Sequence, residues 1–293
     1  MMEHNKYDMI GYTHIDPVWL WNRAEGMQEV KSSFSSALER MKEFPDFKFS
    51  QTSIAFLAWL KDNCPDIFEQ IKERVKEGRW EIQGGMWVEP DCDIPSGEAM
   101  IRHFLYGKHF VKEEFGKEVT VGFNPDSFGH GANLPAILKG CGISYYIASR
   151  PGRKTVPLPL EFVWRSPDGS SVPTERTGGE YMAWTRPALE FNIRETDEGL
   201  EKIGYDRAAV FYGVGNHGGG PTIENIRTIY EMREEYPEGA LDFSTMEGFF
   251  KKADTQAWPE VTGELGRIFY GCYSSDREIK QKNRKAEWTL LKA

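Results

Sequence analysis

Short apolar, β-rich runs alternate along the 293-residue chain with longer stretches of helical period, a pattern that confines the fold to a mainly parallel sheet wrapped by helices. The strand-like runs lie near Tyr7 to Thr13, Phe47 to Gln51, Trp80 to Gln83, Val119 to Phe123, Tyr145 to Ser149, Phe162 to Arg165, Ala208 to Tyr212 and Asp242 to Thr245. The clearest helical segments run from Ala24 to Phe44, Asp66 to Glu77, Gly97 to Phe115, Pro187 to Ile203 and Thr222 to Glu235. Ser96 and Thr222 read as N-caps, each followed by a glutamate, Glu98 and Glu224, in the first helical turn. Seven or eight such units predict an α/β barrel. From Arg150 to Thr177, five prolines and a Pro167-Asp168-Gly169 turn predict an irregular excursion between units.

The balance of charge narrows the partners. With 45 acidic against 36 basic side chains, the net charge of −9 offers no basic footprint, and neither nucleic acid nor an anionic membrane is expected. No apolar run reaches the roughly 18 residues of a spanning helix, and the first residues lack the apolar core of a secretion signal, so the expected location is cytoplasmic. Cys64, Cys92, Cys141 and Cys272 are too widely spaced for a metal knuckle or a disulfide framework and read as reduced thiols. From Gly263 to Ala293 the balance reverses to seven basic and four acidic residues. Ser275 to Ala293 reads there as an amphipathic helix with Ile279, Asn283, Ala286 and Leu290 on one stripe, the start of a second region whose partners would lie elsewhere.

Four segments following strands carry chemistry. In His14-Ile15-Asp16-Pro17, two residues separated by one point the same way in extended chain, and both could bind one divalent ion of zinc type; a hydrogen-bonded loop pair is the plainer alternative. In Asn124-Pro125-Asp126-Ser127-Phe128-Gly129-His130, Asp126 either converges on the same ion or caps the next helix. The glycine-rich run Gly213-Val214-Gly215-Asn216-His217-Gly218-Gly219-Gly220 lacks the ending of a nucleotide loop, and His217 reads as a polar group in the barrel mouth. Trp87-Val88-Glu89-Pro90-Asp91 supplies an aromatic residue and carboxylates, and with Trp19 and Trp21 would suit a sugar, whose ring faces stack on aromatics and whose hydroxyls need acceptors.

Taken in order, these motifs resemble glycoside hydrolase family 38, the class II α-mannosidases, in particular their bacterial and vacuolar-type branch. His14 to Trp21, Trp87 to Cys92, Asn124 to His130, Gly215 to Thr222, Gly263-Glu264-Leu265 and Lys282 to Glu287 all look like family signatures. The resemblance implies a seven-unit (β/α) barrel over residues 1–262 and the start of a helical domain over 263–293. It implies one zinc ion, Zn2+, held by His14, Asp16 and Asp126, with a fourth protein ligand, a histidine, beyond residue 293. Asp126 would also be the nucleophile of a retaining enzyme acting on mannose-containing oligosaccharides, and Trp19, Trp87, Glu89, Asp91, Arg150 and Asn216 would face substrate.

Two departures qualify that implication. The segment bearing the fourth ligand does not occur by Ala293, so the expectation is an incomplete fragment with weak or no activity. Asn216 stands where many relatives carry aspartate, and an amide cannot act as a general acid, so that role passes to His217, Asp91 or Glu89. A metal-dependent carbohydrate deacetylase and a non-catalytic mannoside-binding remnant are the alternatives.

Overall fold

The computed structural model describes residues 5–215 and 217–292. In chain order its elements are β1 (Lys6–Tyr12), α1 (Arg23–Glu43), β2 (Phe49–Gln51), α2 (Ile54–Asn63), α3 (Pro65–Lys76), β3 (Trp80–Ile82), α4 (Gly97–Phe115), β4 (Val121–Asn124), α5 (Leu134–Gly140), β5 (Tyr145–Ala148), β6 (Glu161–Arg165), β7 (Ser171–Arg176), α6 (Arg186–Ile203), β8 (Arg207–Tyr212), α7 (Ile223–Glu235), β9 (Leu241–Phe243), α8 (Met246–Phe250), β10 (Glu260–Thr262), α9 (Gly271–Ser274) and α10 (Arg277–Lys292). The helix starts follow local chemistry. Ser96 accepts from the Ala99 amide at 3.2 Å, and Thr222 forms a reciprocal capping box with Asn225.

The strands fall into two five-stranded sheets, one ordered β3-β2-β1-β8 with β9 also on β1, the other β10-β6-β7-β5-β4. All pairings are parallel except β6 with β7. The expected seven-unit barrel is therefore corrected: the sheet is not closed. At two places side chains take over amides that have no ladder partner. Gln83 Oε1 accepts from the amides of Thr120 and Val121 at 3.1 and 3.0 Å, beside a Gly84-to-Val121 backbone bond of 2.9 Å. Glu175 on β7 accepts from the Ala209 amide on β8 at 2.8 Å. At the first gap the strands, β3 and β4, have only three and four residues and offer few backbone groups for a ladder, and at both gaps the buried amides must still be satisfied.

The inner faces meet in one apolar cluster that includes Ile10, Tyr12, Val121, Phe123, Ile147, Ala209 and Phe211, with Phe123 stacked on Phe211 at 5.2 Å. The helices cover the outer faces. α1 buries Met27, Val30, Phe34, Ala37, Leu38 and Met41, a stripe of period near 3.6, and Phe34 meets Trp80 of β3 edge-on at 5.3 Å. Among the described residues, no helix is long and apolar enough to cross a membrane.

The stretch expected to be irregular contains the β6–β7 hairpin, turned at Pro167-Asp168-Gly169, whose second strand joins β5 in parallel register. Near the end of the chain, Leu265 donates its amide to the His130 carbonyl and Ile268 to that of Phe128, at 3.1 and 2.8 Å. This crossing strap lies so close that a Cβ on Gly129 would stand 2.6 Å from Arg267 Cγ and 2.7 Å from Asp93 Oδ2, which is why that position takes glycine. The Asp93–Arg267 ion pair, at 2.8 Å, fastens it. The helix expected from Ser275 is α10, and none of its described residues is buried; Ile279 and Leu290 of its expected stripe are exposed.

Candidate active site

Four of the strand ends converge on one cavity of about 180 Å³, lined by His14, Ile15, Asp16, Pro17, Ser53, Glu89, Pro90, Asp91, Asp126, Ser127 and Phe128. His14 and Asp16 follow β1, and Asp126 follows β4. His14 is buried, and its Nε2 lies 3.3 Å from Asp16 Oδ1 and 3.8 Å from Asp126 Oδ2. One ligand atom from each of the three lies within 4.8 Å of the others. A tetrahedral zinc with nitrogen and oxygen ligands about 2.0 Å away spaces its donors roughly 3.3 Å apart, so this nitrogen and two carboxylate oxygens suit such an ion in type, and the His14–Asp16 spacing of 3.3 Å matches it.

Around these donors stands a shell that fixes them. Arg150, after β5, forms an ion pair with Asp126 through Nε. Its guanidinium lies between the rings of Tyr181 and Phe269, at 5.8 and 5.5 Å. The carbonyl of Arg150 meets His130 Nε2 at 2.9 Å, while His130 Nδ1 meets the Tyr146 hydroxyl at 2.8 Å. Burial pushes the His130 imidazole down to about 4, so it is a neutral brace outside the cavity.

Negative charge dominates the centre. Burial, with the neighbouring Asp126 charge, pushes the Glu89 carboxyl up to about 7, although nearby His14 works in the other direction. For His14, burial disfavours the charged ring, but the Asp16 hydrogen bond and the charges of Glu89 and Asp126 outweigh it and raise its affinity for a proton. Three carboxylates around one imidazole and one guanidinium form a pocket suited to a cation.

The remaining candidate residues are placed differently. Asp91 lines the cavity, with Oδ1 accepting from the Asp93 and Ile94 amides at 2.8 and 2.7 Å. His217 is exposed and sits against Trp19 and Trp21, at ring separations of 4.9 and 5.1 Å, held next to β1's exit by a bridge with Ile15. Asn216 lies outside the described residues. Trp87 does not join the lining: it packs edge-on against Phe110 of α4 at 6.4 Å. Sequence reasoning did not single out Ser53, Ser127, Tyr181 or Phe269. Ser53 lines the cavity with a left-handed φ of 60°, a strained conformation for a residue with a side chain. The Tyr181 ring meets His14 at 5.3 Å, and nothing in the sequence around it marks that role.

Residues 5–271 match the model of the glycosyl hydrolases family 38 N-terminal domain. The chain belongs to this family. It is 33% identical over 287 residues to alpha-mannosidase G of Dictyostelium discoideum, covering 96% of this chain and 26% of that protein. It is 31% identical over 285 residues to human alpha-mannosidase 2C1, covering 96% and 27%. The chain thus spans about a quarter of the length of these family 38 relatives. An alpha-mannosidase from Enterococcus faecalis V583 superposes with a TM-score of 0.74 at 20% identity, over 89% of this chain and 31% of that one. A 4-alpha-glucanotransferase from Thermococcus litoralis gives 0.63 at 16%, over 90% and 41%. The fold is thus shared by enzymes of different activity, and the family rests on sequence.

Proposed function

We propose that this chain carries the metal-binding, nucleophile-bearing part of a zinc-dependent retaining α-mannosidase acting on mannose-containing glycans. The observation that carries the reading is the convergence of His14, Asp16 and Asp126 from two strand ends, in a family 38 chain, with Arg150 fastened to Asp126. His14, Asp16 and Asp126 would hold the zinc ion, leaving a four-coordinate metal one further ligand position. Bound there, the ion would supply Lewis acidity toward adjacent sugar hydroxyls.

The protein groups divide the remaining work. Arg150 pairs with Asp126 and aims it, so that a carboxylate oxygen can attack the anomeric carbon and expel the aglycone oxygen. Glycosyl–carboxylate ester formation breaks one C–O bond and makes another, and an acid must protonate the departing oxygen. Two groups are candidates for that role: Asp91, which lines the cavity, and His217, which packs on Trp19 and bridges to Ile15 of the lining. Water then hydrolyses the ester with the same group acting as base. The fluorinated-sugar experiment decides this reading against a deacetylase, which uses no carboxylate nucleophile. A fluorinated α-mannosyl reagent is expected to add one fluoromannosyl unit to the peptide containing Asp126, in this chain or in the longer polypeptide. No label in either, with zinc supplied, would sink the proposal. Comparing pH–rate profiles of Asp91→Asn and His217→Ala identifies the acid by the variant that loses one limb.

A further inference from the structure

The fold also fixes the direction of the donors that face the cavity. One carboxylate, contributed by the loop after β3, touches both strand ends that supply the site. Glu89 Oε1 accepts from the amides of Asp126 and Ser127 at 2.8 and 3.0 Å, while the Ser127 hydroxyl, 3.3 Å from it, gives its proton to the Pro90 carbonyl at 2.8 Å. Its Oε2 faces His14 Nδ1 at 3.4 Å. The Glu89 side chain is only 13% exposed, and its own amide donates to Ser53 Oγ at 3.3 Å. The other polar group near Nδ1 is the Tyr12 hydroxyl at 3.5 Å, itself 3.2 Å from Thr52 Oγ1.

We propose that Glu89 is a positioning residue that sets the ring orientation of His14 and the seat of Asp126 together, rather than contacting sugar or transferring a proton to it. This rests on the metal-site reading above and deepens it. Two amide donors on Oε1 hold that oxygen away from substrate, and they seat the backbone from which the Asp126 side chain projects. Glu89 Oε2 beside Nδ1 is placed to accept the imidazole proton when Nε2, which hydrogen-bonds to Asp16 Oδ1 at 3.3 Å in the metal-free chain, gives its lone pair to an ion. The β1 and β4 contributions to the cavity are thus coupled through a single side chain from a third strand end, and neither can shift without straining the other's hydrogen bonds.

The test begins with the full chain labelled with 15N-histidine and titrated with Zn2+, its His14 resonances assigned by comparison with His14→Gln. Without metal the Nε2 hydrogen bond to Asp16 should hold the ring proton, and with Zn2+ the proton should move to Nδ1. Glu89→Gln keeps an oxygen for the loop amides but turns an amide N–H toward the ring, so the move to Nδ1 should need far more Zn2+. Affinity for Co2+, read from its visible absorption, should fall about 10- to 100-fold, the range typical of such outer-shell losses. Ser127→Ala, which removes the hydroxyl beside Oε1, should leave both readouts unchanged. A folded Glu89→Gln protein with an unaltered Zn2+ titration and unaltered Co2+ affinity would overturn the proposal. A wild type that binds both ions but does not accept the fluorosugar counts against the mannosidase reading alone, and one that binds neither ion overturns both.

Discussion

The two ends of β1 solve the same electrostatic problem in opposite ways. Near its start, Asp8 is fully buried but grips Arg207 at 2.6 Å and Lys252 at 2.7 Å, so its charge is answered by two cations. Close by in the fold, Glu161 and Glu175 stand in register across β6 and β7, each with one buried oxygen that has no hydrogen-bond partner among the described residues. Burial, with Asp206 adding to it, pushes Glu161 up to about 8, and burial, with Glu161 beside it, raises Glu175 well above the usual carboxylate range, so these carboxyls are relieved by protonation. Beyond the other end of β1, Asp16, Glu89 and Asp126 surround His14 with only Arg150 as a permanent cation, and they border a cavity instead of a sealed core. Charge that is neutralised from within serves stability. Charge left over around a hole is available to a ligand.

The comparison breaks most visibly at Asp126. Asp126→Asn should cost on the order of 10⁴-fold in turnover of an aryl α-mannoside by the longer polypeptide while leaving urea-denaturation stability nearly unchanged. An active variant would move the nucleophile elsewhere. At the closed end the effects reverse in kind. Asp8→Asn should lower stability by about 2 kcal/mol in urea melts, less than for a fully buried pair because Arg207 and Lys252 remain partly solvated. An unchanged midpoint would show that the pairs contribute nothing net.

Glu161 sharpens the contrast through pH. In the folded chain its carboxyl stays neutral up to about pH 8, whereas the unfolded chain releases that proton near 4.5, so the unfolded state is favoured progressively as pH rises between those values. Glu161→Gln should therefore raise the melting temperature at pH 8 more than at pH 5, by the equivalent of about 3 kcal/mol. Equal shifts at both pH values would mean that burial does not perturb the group. The smallest expected effect is at Trp87: packed on Phe110 and not lining the cavity, its replacement by Phe should change KM for an aryl mannoside by less than about twofold, whereas Trp19→Ala should raise it several-fold.

The site's donors were legible because their signals are local. His14 and Asp16 share a side of one extended segment, and Asp126 follows a recognisable apolar strand, so period and strand position suffice to bring them into the same place. β7 was hidden because Ser171-Val172-Pro173-Thr174-Glu175-Arg176 carries a proline and two charged residues that turn out to be buried. Propensity argues against a strand there, and only the neighbours supply the compensation: Glu175 receives the Ala209 amide, and Arg176 donates to the carbonyls of Val156 and Leu158. The role of Glu89 was hidden for a related reason. A carboxylate in a loop reads as a sugar or proton-transfer ligand until one sees that its partners are backbone amides some 37 residues away. The Trp87 side chain could have turned either way, and Phe110 decided it.

The strap that crosses Gly129 has a consequence for how the molecule is made. A ribosome delivers His14, Glu89 and Asp126 well before Arg267 and Phe269, so a nascent polypeptide can gather the acidic donors while the loop behind them is still unfastened and Arg150 lacks its second aromatic neighbour. Vectorial synthesis would then assemble the chemistry in two stages, with the later-born segment acting as a latch that closes over groups already in place.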